Sequence, residues 1–177
     1  LSGWPAMRNA TATTVAPTGT ISIIAGASSG IEPLFALAYV RRALDGALLP
    51  EVSPLFEQMA RARGFYSRDL EAELAKKGTA ASIAAVPRDI RELFVTAMEI
   101  PARQHVKIQA AFQKHTDNAV SKTVNLPEGA TPANVLDVFN MACDLGCKGV
   151  TVLRYGCKSQ VLYLGNGETV PGCRYCG

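Results

Sequence analysis

No run of about eighteen apolar residues occurs in this 177-residue sequence, which excludes a membrane-spanning helix of ordinary length. The N-terminus lacks the charged-then-apolar layout of a secretory leader. No Gly-Lys-Ser/Thr is present at its Gly-containing loop, so a Walker-type nucleoside triphosphatase is not expected. Charge of one sign is also scarce: the net charge is +3, and Lys and Arg are scattered among acids at 41–42, 61–63, 68–77 and 88–92. These clusters read as solvated helix faces and make no nucleic-acid groove. Neither nucleic acid nor membrane is an expected partner, and the expected compartment is the cytoplasm. There is no initiator Met, and Trp4-Pro5 already stands in what reads as a loop; an excised or trimmed segment is expected. What the chain does have is 48% hydrophobic content, enough to bury one sizeable core.

Its most informative stretch is Ala16-Pro17-Thr18-Gly19-Thr20-Ile21-Ser22, followed by Ser28-Ser29-Gly30-Ile31-Glu32-Pro33. A β-branched run at 11–15 feeds a turn of Pro, Gly and hydroxyl residues, and a short apolar segment at 21–25 follows. That order predicts strand, tight loop, helix start. A helix start leaves backbone N–H groups unpaired and partly positive, which suits a phosphate. Gly19 lets an anion approach the backbone, and Thr18, Thr20 and Ser22 add hydroxyls. An ordinary N-cap, with Thr or Ser satisfying the first turn, fits the same pattern.

Further along, residues 36–43 suit either a strand or a buried helix turn. Ser53-Pro54 opens a helix with Leu55, Phe56, Met59 and Ala60 at helical spacing, ended by Gly64. A second helix spans 67–77, with Leu70 and Leu74 inward and Gly78 as its stop. A short helix covers 89–97. Pro101 starts the longest, to about Lys114, which places His105, Ile108 and Phe112 near one stripe and sets Gln109 and Gln113 at steps of four from His105. Such a polar stripe fits a polar pocket and a buried hydrogen-bond ladder equally.

Asp117-Asn118 makes a turn, and 121–126 alternates as a strand. Thr131-Pro132 opens a helix through Val135, Leu136, Val138, Phe139 and Ala142 to Gly146, and 148–153 reads as a buried strand. Strand, helix and strand predict a right-handed parallel crossover and an α/β fold. After Gly156 the character changes, so the expected division is 1–156 and a flexible tail at 157–177. The tail carries a turn at Gly165-Asn166-Gly167 and ends Cys173-Arg174-Tyr175-Cys176-Gly177. Such a thiol pair can close a small disulfide loop and exchange it with another. Half of a zinc ribbon is the rival, which needs two further ligands; Cys157 could be one, while Cys143 and Cys147 read as buried, inert thiols.

Three strings then stand out together: RNATATTVAPTGTISIIAGASSGIEPLFALAYVRR, HVKIQAAFQKHTDNAVSKTVNLPEGAT at 105–131 and LGCKGVTVLRYG at 145–156. In this order they resemble the C-terminal part of the large subunit of ribonucleotide reductases, and most of all the adenosylcobalamin-dependent class. The resemblance covers roughly 7–156. It implies the C-terminal portion of a ten-stranded α/β barrel made from two five-stranded half-sheets. A partial barrel leaves strand edges to be covered by the N-terminal remainder of a reductase or by self-association as a homodimer.

The resemblance further implies that Ala16, Pro17, Thr18, Gly19, Thr20 and Ile21 hold the phosphate of a ribonucleotide substrate, with Ser22 supporting the loop. It gives Cys173 and Cys176 the part of a redox relay that takes reducing equivalents from thioredoxin or glutaredoxin. The family's radical cysteine lies in an Asn-x-Cys-x-Glu context that none of the five cysteines here has, so that loop is expected upstream. Two departures matter. Ala27 stands where many cobalamin-dependent relatives carry Cys, and Val152-Leu153 stand where tyrosyl-radical relatives carry a Tyr pair. The second favours a radical made with adenosylcobalamin in the complete enzyme. A different kind of protein, a non-catalytic or regulatory partner that completes a barrel supplied by another chain, fits the same sequence, as does a stand-alone phosphate-binding module.

Overall fold

A computed structural model describes residues 8–42, 48–157 and 162–163. The chain divides into two compact units, one of residues 33–101, 125–129 and 153 onward, the other of residues up to 32, 102–124 and 130–152.

The first, here the apolar unit, is built on a three-stranded sheet ordered β2-β1-β5. Strand β1 (Ala38–Arg42) pairs antiparallel with β2 (Leu48–Val52), Ala38 opposite Val52, and with β5 (Leu162–Tyr163), Val40 opposite Tyr163. The ambiguous segment at 36–43 thus contains a strand, over Ala38–Arg42. Pro50 stands within β2, which is an edge strand among the described residues, where proline is tolerated.

Helix α2 (Pro54–Ala62) starts where Ser53-Pro54 predicts, although Ser53 makes no side-chain cap bond. Phe56 and Ala60 face inward, but Leu55 lies on the outer face, 69% exposed. Helix α3 (Arg68–Lys77) has both expected signals: Ser67 Oγ accepts from the Leu70 N–H at 3.1 Å, and Gly78 takes the left-handed conformation at φ 72°. Helix α4 (Arg88–Leu93) is shorter than 89–97. Phe94 leaves the helical conformation, and the Glu99 carboxylate captures the Thr96 N–H and hydroxyl at 2.7 and 2.6 Å, which competes with continuation. The core centres on Phe56, with the rings of Phe65 and Phe94 edge-on at 6.3 and 5.2 Å, among Leu37, Leu70, Leu74, Ile83 and Ile90.

The second, the loop unit, contains α1 (Gly19–Ala25), α5 (Ala102–Gln113) and α6 (Pro132–Asp144), with α5 packed on α6. Helix α6 begins with a reciprocal cap: Thr131 Oγ1 accepts from the Asn134 N–H at 3.4 Å, and Asn134 Oδ1 accepts from the Thr131 N–H at 2.9 Å. Its buried face is Val138 and Ala142, while Leu136 and Phe139 are exposed. The expected strand at 11–15 is reduced to a single parallel bridge between Val15 and Val120, flanked by Asn118 N–H to Thr13 O at 3.1 Å and Ser121 N–H to Val15 O at 2.9 Å.

Strands β3 (Thr123–Leu126) and β4 (Thr151–Arg154) are hydrogen-bonded neighbours on either side of α6, in the expected strand-helix-strand order. The buried strand read at 148–153 is corrected. β4 starts at Thr151, with Thr151 and Leu153 exposed and Val152 and Arg154 half-buried. Its β-branched composition suits a strand, but in a two-stranded sheet composition alone does not provide cover. Among the described residues no helix is long and apolar enough to cross a membrane.

Candidate functional site

Strand β3 and the residues before it point side chains to alternate faces, so Val120, Lys122, Val124 and Leu126 share one buried face, while Asn125 on the opposite face is buried as well. Three of the four are apolar. The fourth is a lysine whose side chain is 1% exposed, and a buried ammonium must have its donors satisfied. Lys122 Nζ reaches Glu32 Oε2 at 2.7 Å, His105 Nδ1 at 2.8 Å and its neighbour's carbonyl, Thr123 O, at 2.5 Å. Three donors meet three acceptors. Because an ammonium only donates, His105 Nδ1 accepts, and the ring carries its proton on Nε2. The second Glu32 oxygen accepts from the Thr123 N–H at 2.5 Å.

The other two members of the α5 stripe resolve as a ladder to backbone. Gln109 Nε2 donates to Val120 O at 2.9 Å and Gly149 O at 2.8 Å. Gln113 Nε2 donates to Thr116 O and Asn118 O at 3.1 and 2.9 Å, while its Oε1 accepts from the Val120 and Lys148 N–H groups, both at 3.3 Å. Ile108 and Phe112 do not share this buried face; Phe112 is exposed.

Glu32 anchors the end of the Ser28-Ser29-Gly30-Ile31-Glu32 turn, which bears on the loop before α1. The Ser29 hydroxyl donates to the Pro17 carbonyl, and a Cβ on Gly30 (φ 51°) would stand 3.0 Å from Ala16 O. Ala16, Pro17, Thr18, Gly19, Thr20 and Ile21 are all exposed. Thr18 is the one non-glycine residue with positive φ among those described, at 51°. For a β-branched residue this conformation is strained, on the order of 1–3 kcal/mol, and persists only where surroundings impose it. The first helical bond is Ser22 N–H to Thr18 O at 2.9 Å, so the Gly19, Thr20 and Ile21 amides precede it. Ser22 turns its hydroxyl inward onto Gly19 O at 2.7 Å.

The other side of the loop is tied by Asp117. One carboxylate oxygen accepts from the Ala12 and Thr13 N–H groups at 2.8 and 2.9 Å and from the Thr13 hydroxyl at 3.1 Å. These backbone donors hold the Asp117 carboxyl below its ordinary range, with help from the Thr13 hydroxyl and nearby Lys148.

The sequence reading missed Glu32, Asp117 and Lys122 as supports. A signal existed for Lys122 alone, a charged residue in the inward register of an otherwise apolar alternation.

Cys173, Cys176 and the Gly165-Asn166-Gly167 turn lie outside the described residues. Of the thiols described, Cys143 is exposed and Cys147 half-buried, which corrects their reading as buried. Cys143 follows the buried Ala142 and points away from the face that packs. Burial pushes the Cys147 thiol up, and Cys157 Sγ accepts from Arg154 Nε at 2.7 Å. Among the described residues no three His, Cys, Asp or Glu side chains are grouped to hold a metal.

Comparison with known proteins shows the family of the chain. The family model for the ribonucleotide reductase barrel domain matches residues 5–153. The vitamin B12-dependent ribonucleoside-diphosphate reductase of Thermoplasma acidophilum is 49% identical over 164 residues, covering 92% of this chain and 21% of that protein. The protein of the same name from Mycobacterium tuberculosis (strain H37Rv) is 49% identical over 156 residues, covering 88% of this chain and 22% of its own length. The chain therefore spans about a fifth of these relatives. Among solved structures, the alpha subunit of the Actinobacillus ureae class Id ribonucleotide reductase superposes with a TM-score of 0.69 at 21% identity, over 83% of this chain and 27% of that one. That likeness is one of fold. By the match to most of its length, the chain belongs to the ribonucleotide reductase family, as part of its barrel domain.

Proposed function

We propose that the chain is the C-terminal catalytic-barrel segment of a vitamin B12-dependent ribonucleoside-diphosphate reductase, which makes deoxyribonucleotides for DNA synthesis in the cytoplasm. The observation that carries this reading is 49% identity, over nine-tenths of the chain, to relatives of that name. In this reading residues 1–156 contribute strands to a ten-stranded barrel completed by the N-terminal remainder, and 157–177 form a redox tail. Homodimerisation of the complete enzyme is part of the same proposal.

The loop Ala16, Pro17, Thr18, Gly19, Thr20, Ile21 and Ser22 is assigned to the substrate phosphate. Its exposure, the strained Thr18 and the amides ahead of the first helical bond support this, since an anion there gains several donors from a backbone already in place. In the tail, the dithiol of Cys173 and Cys176 passes two electrons and two protons to the active-site disulfide by exchange. It becomes a disulfide itself, which thioredoxin or glutaredoxin reduces.

Adenosylcobalamin would supply the radical in the complete enzyme. Two features of the described residues suit its corrin poorly. His105 spends Nδ1 on buried Lys122, and the apolar groove of about 710 Å³ lined by Leu34, Leu55, Met59 and Phe94 offers amide side chains little beyond Gln58 and Arg63. Cobalamin contacts are assigned to the remainder of the enzyme.

The test is Thr18→Ala with Thr20→Ala in the complete reductase, read by titration calorimetry with a ribonucleoside diphosphate. About a tenfold or larger rise in the dissociation constant is expected from loss of two hydroxyl contacts to an anion; unchanged affinity overturns the phosphate assignment. Cys173→Ser with Cys176→Ser should abolish turnover driven by thioredoxin yet spare turnover driven by a small dithiol, which reaches the active site directly.

A further inference from the structure

The buried Lys122 is an expensive feature for a strand to carry. A lysine in the inward register of β3 adds a desolvation cost that a fourth apolar residue would avoid, and such pairs are often no more stable than apolar replacements. Its partners show where the arrangement leads. One is Glu32, which belongs to the Ser28–Glu32 turn, distant in sequence; the other Glu32 oxygen takes the Thr123 backbone N–H. The same carboxylate thus spans two adjacent residues of the β3 region and fixes the turn against it. At the start of that turn Ser29 donates to Pro17 O, and Gly30 packs against Ala16 O so closely that a Cβ would meet it at 3.0 Å. His105 from α5 takes the third Lys122 donor and holds the ammonium in place.

We propose that Lys122 and Glu32 are positioning residues for the loop at 16–22. The ion pair of buried Lys122 with half-buried Glu32 seats the Ser28–Glu32 turn, and Ser29 and Gly30 in turn hold Pro17 and Ala16, so that Thr18 is kept at positive φ before any ligand arrives. The ligand class, a ribonucleoside diphosphate, rests on the phosphate reading above; the positioning itself does not. Preset geometry matters because a binding loop displaced by about 1 Å loses up to about a hundredfold in the step it serves. Lys122, Glu32, Ser29 and Gly30 need not touch the substrate to do this.

The experiment uses the complete reductase without added cobalamin, in wild-type form and as Ser29→Ala, Glu32→Gln and Lys122→Met. Ser29→Ala keeps the ion pair and separates positioning from stability should either charge variant fail to fold. Hydrogen exchange is read over residues 16–25, together with calorimetric affinity for a ribonucleoside diphosphate and for the matching nucleoside. The expected result for Ser29→Ala is exchange about tenfold faster over 16–25, a diphosphate affinity about tenfold weaker, nucleoside affinity unchanged and a melting temperature close to wild type. Faster exchange over 16–25 is likewise expected of Glu32→Gln and Lys122→Met where these fold, and unchanged exchange there in Ser29→Ala, or in either folded charge variant, overturns the positioning role. A wild-type enzyme that binds nucleoside and diphosphate equally overturns the phosphate reading instead, and the exchange result still decides the positioning.

Discussion

The apolar unit is held by Phe56 and the aliphatic side chains around it, whereas in the loop unit His105, Gln109, Gln113 and Lys122 are buried and their polar atoms are spent largely on backbone. Packing of the first kind is non-directional: it fixes the helices by shape and tolerates small shifts. Hydrogen bonds of the second kind specify distances and angles, and each of these ties down an irregular segment that makes few ladder bonds of its own, at 116–120, 148–149 or 28–32. The difference teaches where precision is built in. The loop at 16–22 projects from the polar-stitched unit, and its support is a set of directional bonds.

Single substitutions break this comparison in a definite order. Phe56→Ala should cost the most, about 3–5 kcal/mol, because it empties the centre of the aromatic cluster. Its sequence neighbour, as Leu55→Ala, should cost under about 0.5 kcal/mol from its exposed position. Denaturant unfolding of the two variants checks this, and similar losses would deny that α2 has one buried face.

Lys122→Met comes next, at about 3 kcal/mol, since it leaves Glu32 with no ammonium beside it. Adding Glu32→Leu should recover about half of that loss, because an apolar pair removes the unpaired charge, while exchange over 16–25 stays fast. A double variant no more stable than the single one would mean that the pair stabilises the fold and does more than place the turn.

Gln113→Leu is expected to cost about 2 kcal/mol and Gln109→Leu about 1 kcal/mol, by thermal or denaturant unfolding. Gln113 uses both ends of its amide, whereas Gln109 Oε1 has no hydrogen-bond partner among the described residues. The reverse order would place the weight of the ladder on Gly149 instead of on the 116–120 turn.

The smallest effect is a pH dependence at Asp117. Its carboxyl is depressed in the folded chain, so its contribution is present above its ordinary value of about 4 and is lost as pH falls through the lower folded value. The melting temperatures of wild type and Asp117→Asn should differ near neutrality and converge in acid. A difference that persists in acid would show that the clamp works through shape and not through charge.

Much of the fold was legible because local signals agree with tertiary packing. Ser67 and Gly78 bound α3, Thr131-Pro132 starts α6, and Gly19 opens α1 as the loop sequence implies. What failed did so for want of context. Residues 148–153 look like a buried strand, yet among the described residues β4 has one hydrogen-bonded neighbour and remains partly exposed. Leu55, Leu136 and Phe139 are apolar but lie on outer faces, since spacing allows more than one stripe and packing selects among them. At the candidate site the loop residues were legible from their Pro, Gly and hydroxyl chemistry. Their supports were not, because Glu32 and Lys122 lie 90 positions apart and Asp117 and Thr13 lie 104 apart.

The sequence by itself determined the helix boundaries at its capping residues, the position of the loop at 16–22 and, through three ordered strings, the family. Period and capping are local, so they survive without knowledge of what lies opposite. Only the tertiary structure decided that Gln109 and Gln113 of α5 form a ladder to backbone, that β1 sits between two antiparallel partners, and that a lysine in a strand's inward register ends on a glutamate in a distant turn. Those outcomes depend on which acceptors folding brings within 3 Å of a donor, and no spacing along one segment encodes that.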